Sequence, residues 1–324
     1  MEILNLLIFV LSLAVLLKGG HFLVKGASGI AKLTRMGSFF AGFTVVALGT
    51  SMPEFMVCLM AVLEGSSDIA VGNMVGSNIA NIGLIFGLTV IISPVVISVE
   101  AWKEQRFALL FLVLVTFVAY GVSHWGPSIE EIEKLEGALL FFLLAVFLLL
   151  PYGKSAEEKN EVSSASQGDG GWKLLLYVVS GSALLAVSAH FLVNSAMDIA
   201  EQLGISELFM GVVAVALGTS LPELAASLVA AWRKEQNIVV GNIIGSNFFN
   251  LGYLGLVAVI RPVKINQDMF GNTSEFAFFI LLTVLFALLI GKTRISGGRI
   301  GKKKGTLLLI VYAAFLYFIS SSLS

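Results

Sequence analysis

The chain has few of the residues from which reactive or cross-linked sites are built. Its single cysteine, Cys58, excludes an intrachain disulfide and a metal site made of several cysteines. The three histidines, His21, His124 and His190, lie too far apart to form a zinc motif. Charged residues make up only 13% of the chain, against about 25% in a typical soluble domain. The net charge of −1 leaves no basic surplus for nucleic acid, so we expect no nucleic-acid partner and no cofactor.

Apolar residues are correspondingly abundant. They make up 57% of the chain, and the mean hydropathy is +0.94. Apolar stretches of about 20 residues are long enough to cross a bilayer as helices, and the sequence contains ten. Their limits are 3–24, 39–63, 69–98, 106–123, 135–152, 173–197, 207–232, 237–261, 272–291 and 304–322. The sequence therefore predicts an all-α integral membrane protein with ten transmembrane helices, surrounded by the lipid bilayer.

A polar segment from Lys154 to Gly171 divides these ten spans into five and five. Its composition, rich in Glu, Ser and Gly, is typical of a flexible linker. We therefore expect a first five-helix repeat over 1–152, a linker over 153–172 and a second five-helix repeat over 173–324. Nothing in the sequence indicates an obligatory protein partner.

The two halves are repeats of one another. A shift of 169 residues aligns 42–83 with 211–252 without a gap, and 20 of these 42 positions are identical. The aligned segments are Ala47–Glu54 with Ala216–Glu223, Gly72–Asn78 with Gly241–Asn247, and Asn81 with Asn250. Because each half has an odd number of spans, the second half enters the membrane from the opposite face. This predicts an inverted repeat with a pseudo-two-fold axis in the membrane plane.

The lysines and arginines predict the orientation. One side of the predicted membrane carries 16 of them in its loops and the other only three, Lys134, Arg261 and Lys264. Loops rich in Lys and Arg are usually cytoplasmic. We therefore expect a multi-pass protein of the plasma (inner) membrane, with both termini outside and the central linker in the cytoplasm.

Two acidic residues, Glu54 and Glu223, lie near the middle of predicted spans, and they are repeat mates. A carboxylate at that depth costs at least a few kcal/mol on insertion scales. No lysine or arginine occurs at comparable depth nearby, so a bound cation is the natural partner. Ser51-x-x-Glu54 and Ser220-x-x-Glu223 also match a capping box, in which each Glu would only cap a helix.

The neighbouring residues supply further oxygen ligands. Two hydroxyl residues precede each Glu. A proline lies directly before each Glu and should free upstream carbonyls at Ala47 and Ala216. The next span carries polar residues four apart, which line one face of a helix. These residues are Thr50, Ser51, Thr219 and Ser220; Pro53 and Pro222; Asn73, Ser77 and Asn81; and Asn242, Ser246 and Asn250. Gly76 and Gly245 should allow close helix packing. A site made only of oxygens suits a hard cation such as Ca²⁺.

The paired Gly-Thr-Ser-x-Pro-Glu segments, each followed by Gly-Asn-x-x-Gly-Ser-Asn, resemble the two alpha repeats of the calcium/cation antiporter superfamily, and most of all its prokaryotic sodium/calcium exchangers. The resemblance implies ten helices with four forming the ion-binding core, against which the long first and sixth helices slide. It implies that Glu54 and Glu223 are the central ligands, and that Ser77 and Ser246 complete sodium sites. Those sites also include Thr50, Ser51, Thr219, Ser220 and the carbonyls of Ala47 and Ala216, while Asn81 and Asn250 lie beside the central site.

The expected function is therefore Ca²⁺ efflux driven by Na⁺ entry, by alternating access. One departure bears on it: some relatives carry Asp at the position of Asn250, whereas both repeats here have Asn. The central site then holds two carboxylates, which can carry protons as readily as Na⁺, so Ca²⁺/H⁺ exchange is the alternative. A cation channel is a rival from another class, but broken helices in both repeats favour a transporter. No nucleophile and base pair lies at depth, so we expect no enzyme activity.

Overall fold

The computed structural model describes residues 2–96, 99–125, 131–149, 170–202, 218–264, 274–291 and 299–322, and these are predominantly helical. A membrane-embedded backbone must satisfy its polar groups within the segment, and a helix does so. The helices of the first half are α1 (Glu2–Thr34), α2 (Ser38–Thr50), α3 (Met52–Leu63), α4 (67–92), α5 (Val99–Trp125) and α6 (Lys134–Leu149). Those of the second half are α7 (Gly171–Gln202), α8 (Leu221–Trp232), α9 (Gln236–Ile260), α10 (Ser274–Gly291) and α11 (Lys302–Ser322).

Four of the described helices, α1, α4, α7 and α9, are individually long and apolar enough to cross a membrane. The bent pair α2 and α3 makes a fifth span. Shorter apolar helices cover 105–121, 221–232 and 276–291. Part of the predicted seventh span, 207–217, lies outside the described residues. The predicted helical membrane fold with two repeats is confirmed, and α1 extends beyond its apolar run to Thr34.

The second predicted span is broken at Ser51, where α2 and α3 meet at 46°. Pro53 lies in the first turn of α3, where its missing N–H removes no helical hydrogen bond. The second half has the same construction, because α8 begins at Leu221 with Pro222 in its first turn. Within α2, residues Gly42–Val46 form a π-helical segment, as do Asn81–Phe86 within α4.

The long helices α1 and α7 pack along each other through small residues. A Cβ on Gly19 or on Gly181 would press against the backbone of the other helix, so only glycine permits this separation. The Lys25 ammonium donates a hydrogen bond to the Tyr177 hydroxyl at 3.0 Å and lies 4.1 Å from the centre of its ring. The two helices therefore form one closely packed pair.

Helix α9 lies at the centre of the core, and nearly all of its residues from Ile238 to Ala258 are buried. Helix α2 approaches it closely, because added Cβ atoms on Gly241 and Gly245 would collide with the carbonyl oxygens of Phe39 and Phe43. This contact brings the broken span of the first half against the polar stripe of the second.

Four strands of two residues each depart from the purely helical expectation. Strand β1 (Val95–Val96) pairs antiparallel with β4 (Arg299–Ile300), and β2 (Glu131–Ile132) pairs antiparallel with β3 (Val263–Lys264). The repeat shift carries β1 onto β3 and β2 onto β4 to within one residue. Each ribbon therefore joins the two halves, and pairing satisfies backbone groups where the chain enters or leaves a helix.

Candidate functional site

Glu54 and Glu223 occupy the first turns of α3 and α8, and both side chains are 0% exposed. Neither oxygen of Glu54 has a hydrogen-bond partner, and Oε2 of Glu223 has none either. The two carboxyl groups are close enough to repel each other when both are ionised. The positive ends of two helix dipoles offset only part of this charge. Two buried carboxyl groups with three free oxygens form a site that lacks a cation partner within the described protein.

The Ser51 hydroxyl donates a hydrogen bond to Oε1 of Glu223 at 2.9 Å. It makes no cap bond to its own helix, although Ser51 occupies the N-cap position of α3. Ser220, the N-cap residue of α8, makes no side-chain cap bond either. The structure does not show the capping box: neither serine makes a side-chain cap bond, neither oxygen of Glu54 has a hydrogen-bond partner, and the bonded oxygen of Glu223 accepts from Ser51 of the other repeat.

Each threonine hydroxyl approaches an asparagine of the opposite repeat. Oγ1 of Thr50 lies 3.4 Å from Oδ1 of Asn242, although its single O–H also has the Val46 and Ala47 carbonyl oxygens within reach, at 3.1 and 3.3 Å. Oγ1 of Thr219 donates to Oδ1 of Asn73 at 3.2 Å. The Thr219 hydroxyl also lies 3.3 Å from that of Ser77. Asn73 and Asn242 thus support the threonines from the other half of the molecule.

The carbonyl of Ala47 is not left free by the helix break. It accepts hydrogen bonds from the Ser51 N–H at 2.9 Å and from the Thr50 hydroxyl at 3.3 Å. The expectation that Pro53 frees this oxygen is wrong, because the Ser51 N–H at the C-terminal end of α2 still bonds to it. The Ala47 oxygen is an acceptor already shared between two donors. Ala216, its repeat mate, lies outside the described residues.

The buried side chains of Asn81 and Asn250 are each held by an asparagine of the other repeat. Nδ2 of Asn81 donates to Oδ1 of Asn247 at 3.1 Å, and Nδ2 of Asn250 donates to Oδ1 of Asn78 at 3.0 Å. Oδ1 of Asn81 and Oδ1 of Asn250 have no partner. Reasoning from the stripe of residues four apart missed Asn78 and Asn247. The repeat alignment contained the signal, since Asn78 and Asn247 are themselves repeat mates.

Ser246 is fully buried, and its hydroxyl has no hydrogen-bond partner. Beside it, Gly245 packs against Phe43 and Ala47. Gly76 is half-buried on α4, but the residues that would correspond to these neighbours fall within 207–217, outside the described part of the chain.

The two halves do not have the same conformation around the site. Ala225 and Val229 on α8 are 1% and 5% exposed, whereas their repeat mates Met56 and Met60 on α3 are 48% and 49% exposed. Helix α1 covers α8, where a Cβ on Gly20 would meet the Ala225 carbonyl oxygen at 3.1 Å. Ser51 bonds Glu223 while the Ser220 hydroxyl has no partner. Helix α8 is therefore covered by α1, whereas the corresponding face of α3 is about half exposed.

Comparisons with known proteins agree with one another. The profile of the family described as "Sodium/calcium exchanger protein" matches residues 4–153 and 173–321. The sodium/calcium exchanger MaX1 of Methanosarcina acetivorans is 33% identical, covering 96% of this chain and 97% of its own. The inner membrane protein YrbG of Escherichia coli is 34% identical, covering 92% of each chain. Among solved structures, the sodium-calcium exchanger NCX_Mj soaked without Na⁺ and Ca²⁺ superposes with a TM-score of 0.80 at 30% identity, covering 98% of this chain and 99% of its own.

Proposed function

The chain belongs to the sodium/calcium exchanger protein family, and on that premise we propose that it is a secondary active antiporter that exchanges Ca²⁺ for Na⁺. The observation that carries the proposal is the pair Glu54 and Glu223, buried together with three oxygens free of any partner. Such a pair is costly unless a cation binds to it. Its formal charge of −2 matches one Ca²⁺ ion.

The ligands divide by position. We place Glu54 and Glu223 at the centre and assign the amide oxygens of Asn81 and Asn250, which have no hydrogen-bond partner, as ligands beside it. The hydroxyls of Thr50, Ser51, Thr219, Ser220, Ser77 and Ser246 and the shared carbonyl oxygen of Ala47 flank that centre and serve Na⁺. Ca²⁺ takes roughly 6–8 oxygen ligands, and carboxylate, amide and hydroxyl oxygens together supply that kind of shell.

Exchange follows from the charge of the site. A doubly charged, empty site is expensive to carry through the membrane interior, and binding of Ca²⁺ or of its counter-ions removes most of that cost. The helix pair α1 and α7 then moves against the core only when the site is loaded, which gives alternating access and prevents leak. We assign the conformation described here to the state open to the outside, since the predicted orientation puts α3 at the outer end and α8 at the cytoplasmic end.

Two assignments rest on sequence arguments. The positive-inside distribution supports a plasma (inner) membrane location with both termini outside. The direction, Ca²⁺ efflux driven by Na⁺ entry, follows the usual inward Na⁺ gradient. The second candidate is Ca²⁺/H⁺ exchange, because a proton neutralises a buried carboxylate as Na⁺ does.

Transport by the purified protein in liposomes tests the function. Vesicles are loaded with Na⁺ or with K⁺ at clamped pH, and uptake of radiolabelled Ca²⁺ is followed. We expect uptake only with internal Na⁺. Uptake that is indifferent to Na⁺ and driven by a proton gradient would assign the protein to Ca²⁺/H⁺ exchange.

Carboxamide variants test the site. Glu54→Gln and Glu223→Gln should each lower Ca²⁺ uptake roughly 100-fold or more, as expected when one partner of a buried charge interaction is removed. Glu64→Gln, at the exposed C-terminal end of α3, is the matched control and should transport normally. Uptake at normal Ca²⁺ affinity in either of the first two variants would refute the assignment of the site.

A further inference from the structure

The most unusual polar arrangement in the core is the crossed set of four asparagines. Asn78, Asn81, Asn247 and Asn250 are each 0% exposed. The pseudo-two-fold axis relates the bond from Asn81 to Asn247 to the bond from Asn250 to Asn78. Each bond joins α4 of one repeat to α9 of the other, so the pairing crosses between the halves. Neighbours on the same helix do not pair in this way.

Each bond determines which way an amide faces. An asparagine amide is planar, with Nδ2 and Oδ1 on opposite sides of its Cγ. When Nδ2 of Asn81 is bound to Asn247, Oδ1 of Asn81 must point away from Asn247. The same holds for Asn250 bound to Asn78. Both of these oxygens are buried and have no partner, which is costly unless something else binds to them.

The opposite orientation of these amides would be unsuitable for a cation. A flipped Asn81 would face its own oxygen towards the Asn247 oxygen and direct its N–H groups at the site. An Asn247 that presents Oδ1, which can only accept, disfavours that orientation. Because Nδ2 of Asn247 has no hydrogen-bond partner, the bond could reverse only if both amides flipped together. Asn78 is itself oriented, since its Nδ2 donates to the Asn247 main-chain carbonyl at 3.5 Å.

We propose that Asn78 and Asn247 are positioning residues that hold the amides of Asn250 and Asn81 with their oxygens towards the transported cation. Neither touches the cation. The inference rests on the proposed function, in that the free oxygens are taken to face Ca²⁺. It assigns to Asn78 and Asn247 a role different from that of Asn81 and Asn250.

The crossed hydrogen bonds predict which substitutions weaken the apparent affinity for Ca²⁺. Partners that orient a metal ligand typically contribute 10–100-fold to metal affinity. Asn247→Leu keeps the side-chain volume but removes the acceptor, so it should raise the KM for Ca²⁺ by about 10–100-fold with little change in the maximal rate. Asn78→Leu should have a similar effect through Asn250.

A double-mutant cycle tests whether each residue acts through its partner. In an Asn81→Leu background, adding Asn247→Leu should change the KM by no more than about twofold, the scatter seen for independent effects. Adding Asn78→Leu to the same background should retain its full effect, because Asn78 acts on Asn250. Asn78→Leu is thus the matched control from the same helix as Asn81.

The outcomes are distinct. Non-additive effects on the KM in the pairs Asn81 with Asn247 and Asn78 with Asn250 support the proposal. The pairs along one helix, Asn78 with Asn81 and Asn247 with Asn250, should be additive. Additivity in all four pairs, or coupling along each helix instead, overturns it and leaves the asparagines as packing contacts between α4 and α9. If a leucine variant does not fold, as judged by gel filtration in detergent, the same cycle is measured with alanine. A wild-type protein that takes up no Ca²⁺ under any gradient refutes the proposed function, whereas normal exchange with an additive cycle refutes only this inference.

Discussion

At the scale of single residues, Ser51 and Ser220 occupy equivalent positions in the two repeats but make different hydrogen bonds. Both are repeat mates at the N-cap position of a helix. Only Ser51 donates to the carboxyl group of the opposite repeat, at 2.9 Å, while the Ser220 hydroxyl has no partner. In this conformation the first serine therefore stabilises the site and the second does not.

We expect Ser51→Ala to destabilise the ion-free protein and Ser220→Ala to leave its stability unchanged. A buried hydrogen bond to a charged group contributes about 1.5–3 kcal/mol, and only Ser51 makes one. Thermal unfolding in detergent, without Na⁺ or Ca²⁺, measures the difference. An equal loss in the two variants would contradict the unequal roles of the serines.

The sequence allows the central carboxylates to be predicted, because a buried charge without a partner is conspicuous in any apolar span. Hydrogen-bond partners are different, since they depend on how two repeats pack. The role of Ser51 towards Glu223 and the crossed asparagines became visible only with both halves in place. The ligand roles remain predictions, and the expected release of the Ala47 carbonyl was wrong because the N–H of Ser51, the residue that caps α2, still bonds to it.

At the scale of elements, the separation between α2 and α9 depends on glycine. The Cβ of an alanine at Gly245 would collide with the Phe43 carbonyl oxygen and lie 2.8 Å from the Ala47 Cβ. Backbone atoms on both sides leave little room to adjust. The packing of these two helices also carries the ligands, since Ser246 follows Gly245 directly.

Gly245→Ala should lower the free energy of unfolding by about 1–3 kcal/mol, the usual range for overpacking. Gly171→Ala is the control, because its added Cβ meets only the flexible Leu33 side chain at 3.4 Å. The free energy is measured by denaturant titration in detergent. Equal stability of the two variants would show that α2 and α9 can separate without cost.

The break in the second span was predictable from Pro53, as was its equivalent at Pro222. The π-helical segments and the four short strands were not. A π-helical segment adds one residue to a turn without any residue type that marks it. A pairing such as Val95 with Ile300 joins parts of the chain more than 200 residues apart. The sequence around a strand of two residues does not indicate so distant a partner.

At the scale of the whole molecule, the assigned state, open to the outside, rests on the unequal burial of α3 and α8. The face of α8 that α1 covers is apolar and small, with Ala225 at its centre. The corresponding face of α3 carries Met56 and Met60, both about half exposed. The assigned state predicts that this methionine face borders a water-filled opening to the outside.

Met56→Cys should therefore be modified by a membrane-impermeant maleimide added from outside, and Ala225→Cys should not. Both variants are made in a Cys58→Ser background, since Ser227 occupies the corresponding position in the second half. Phe142→Cys is the control, because Phe142 is 60% exposed in the isolated structure and we expect it to face lipid. Should Met56→Cys react as slowly as Phe142→Cys, the methionine face lies in the bilayer and the assigned state is wrong.

The two ribbons also bear on how the protein is made. Val95 meets Ile300 and Glu131 meets Lys264, so the first half leaves the ribosome with strands whose partners do not yet exist. Contacts this distant in the chain form late, because loop closure must precede them. The core thus reaches its final form only after the last spans have been inserted. A nascent chain stopped before residue 299 lacks the strand with which β1 pairs.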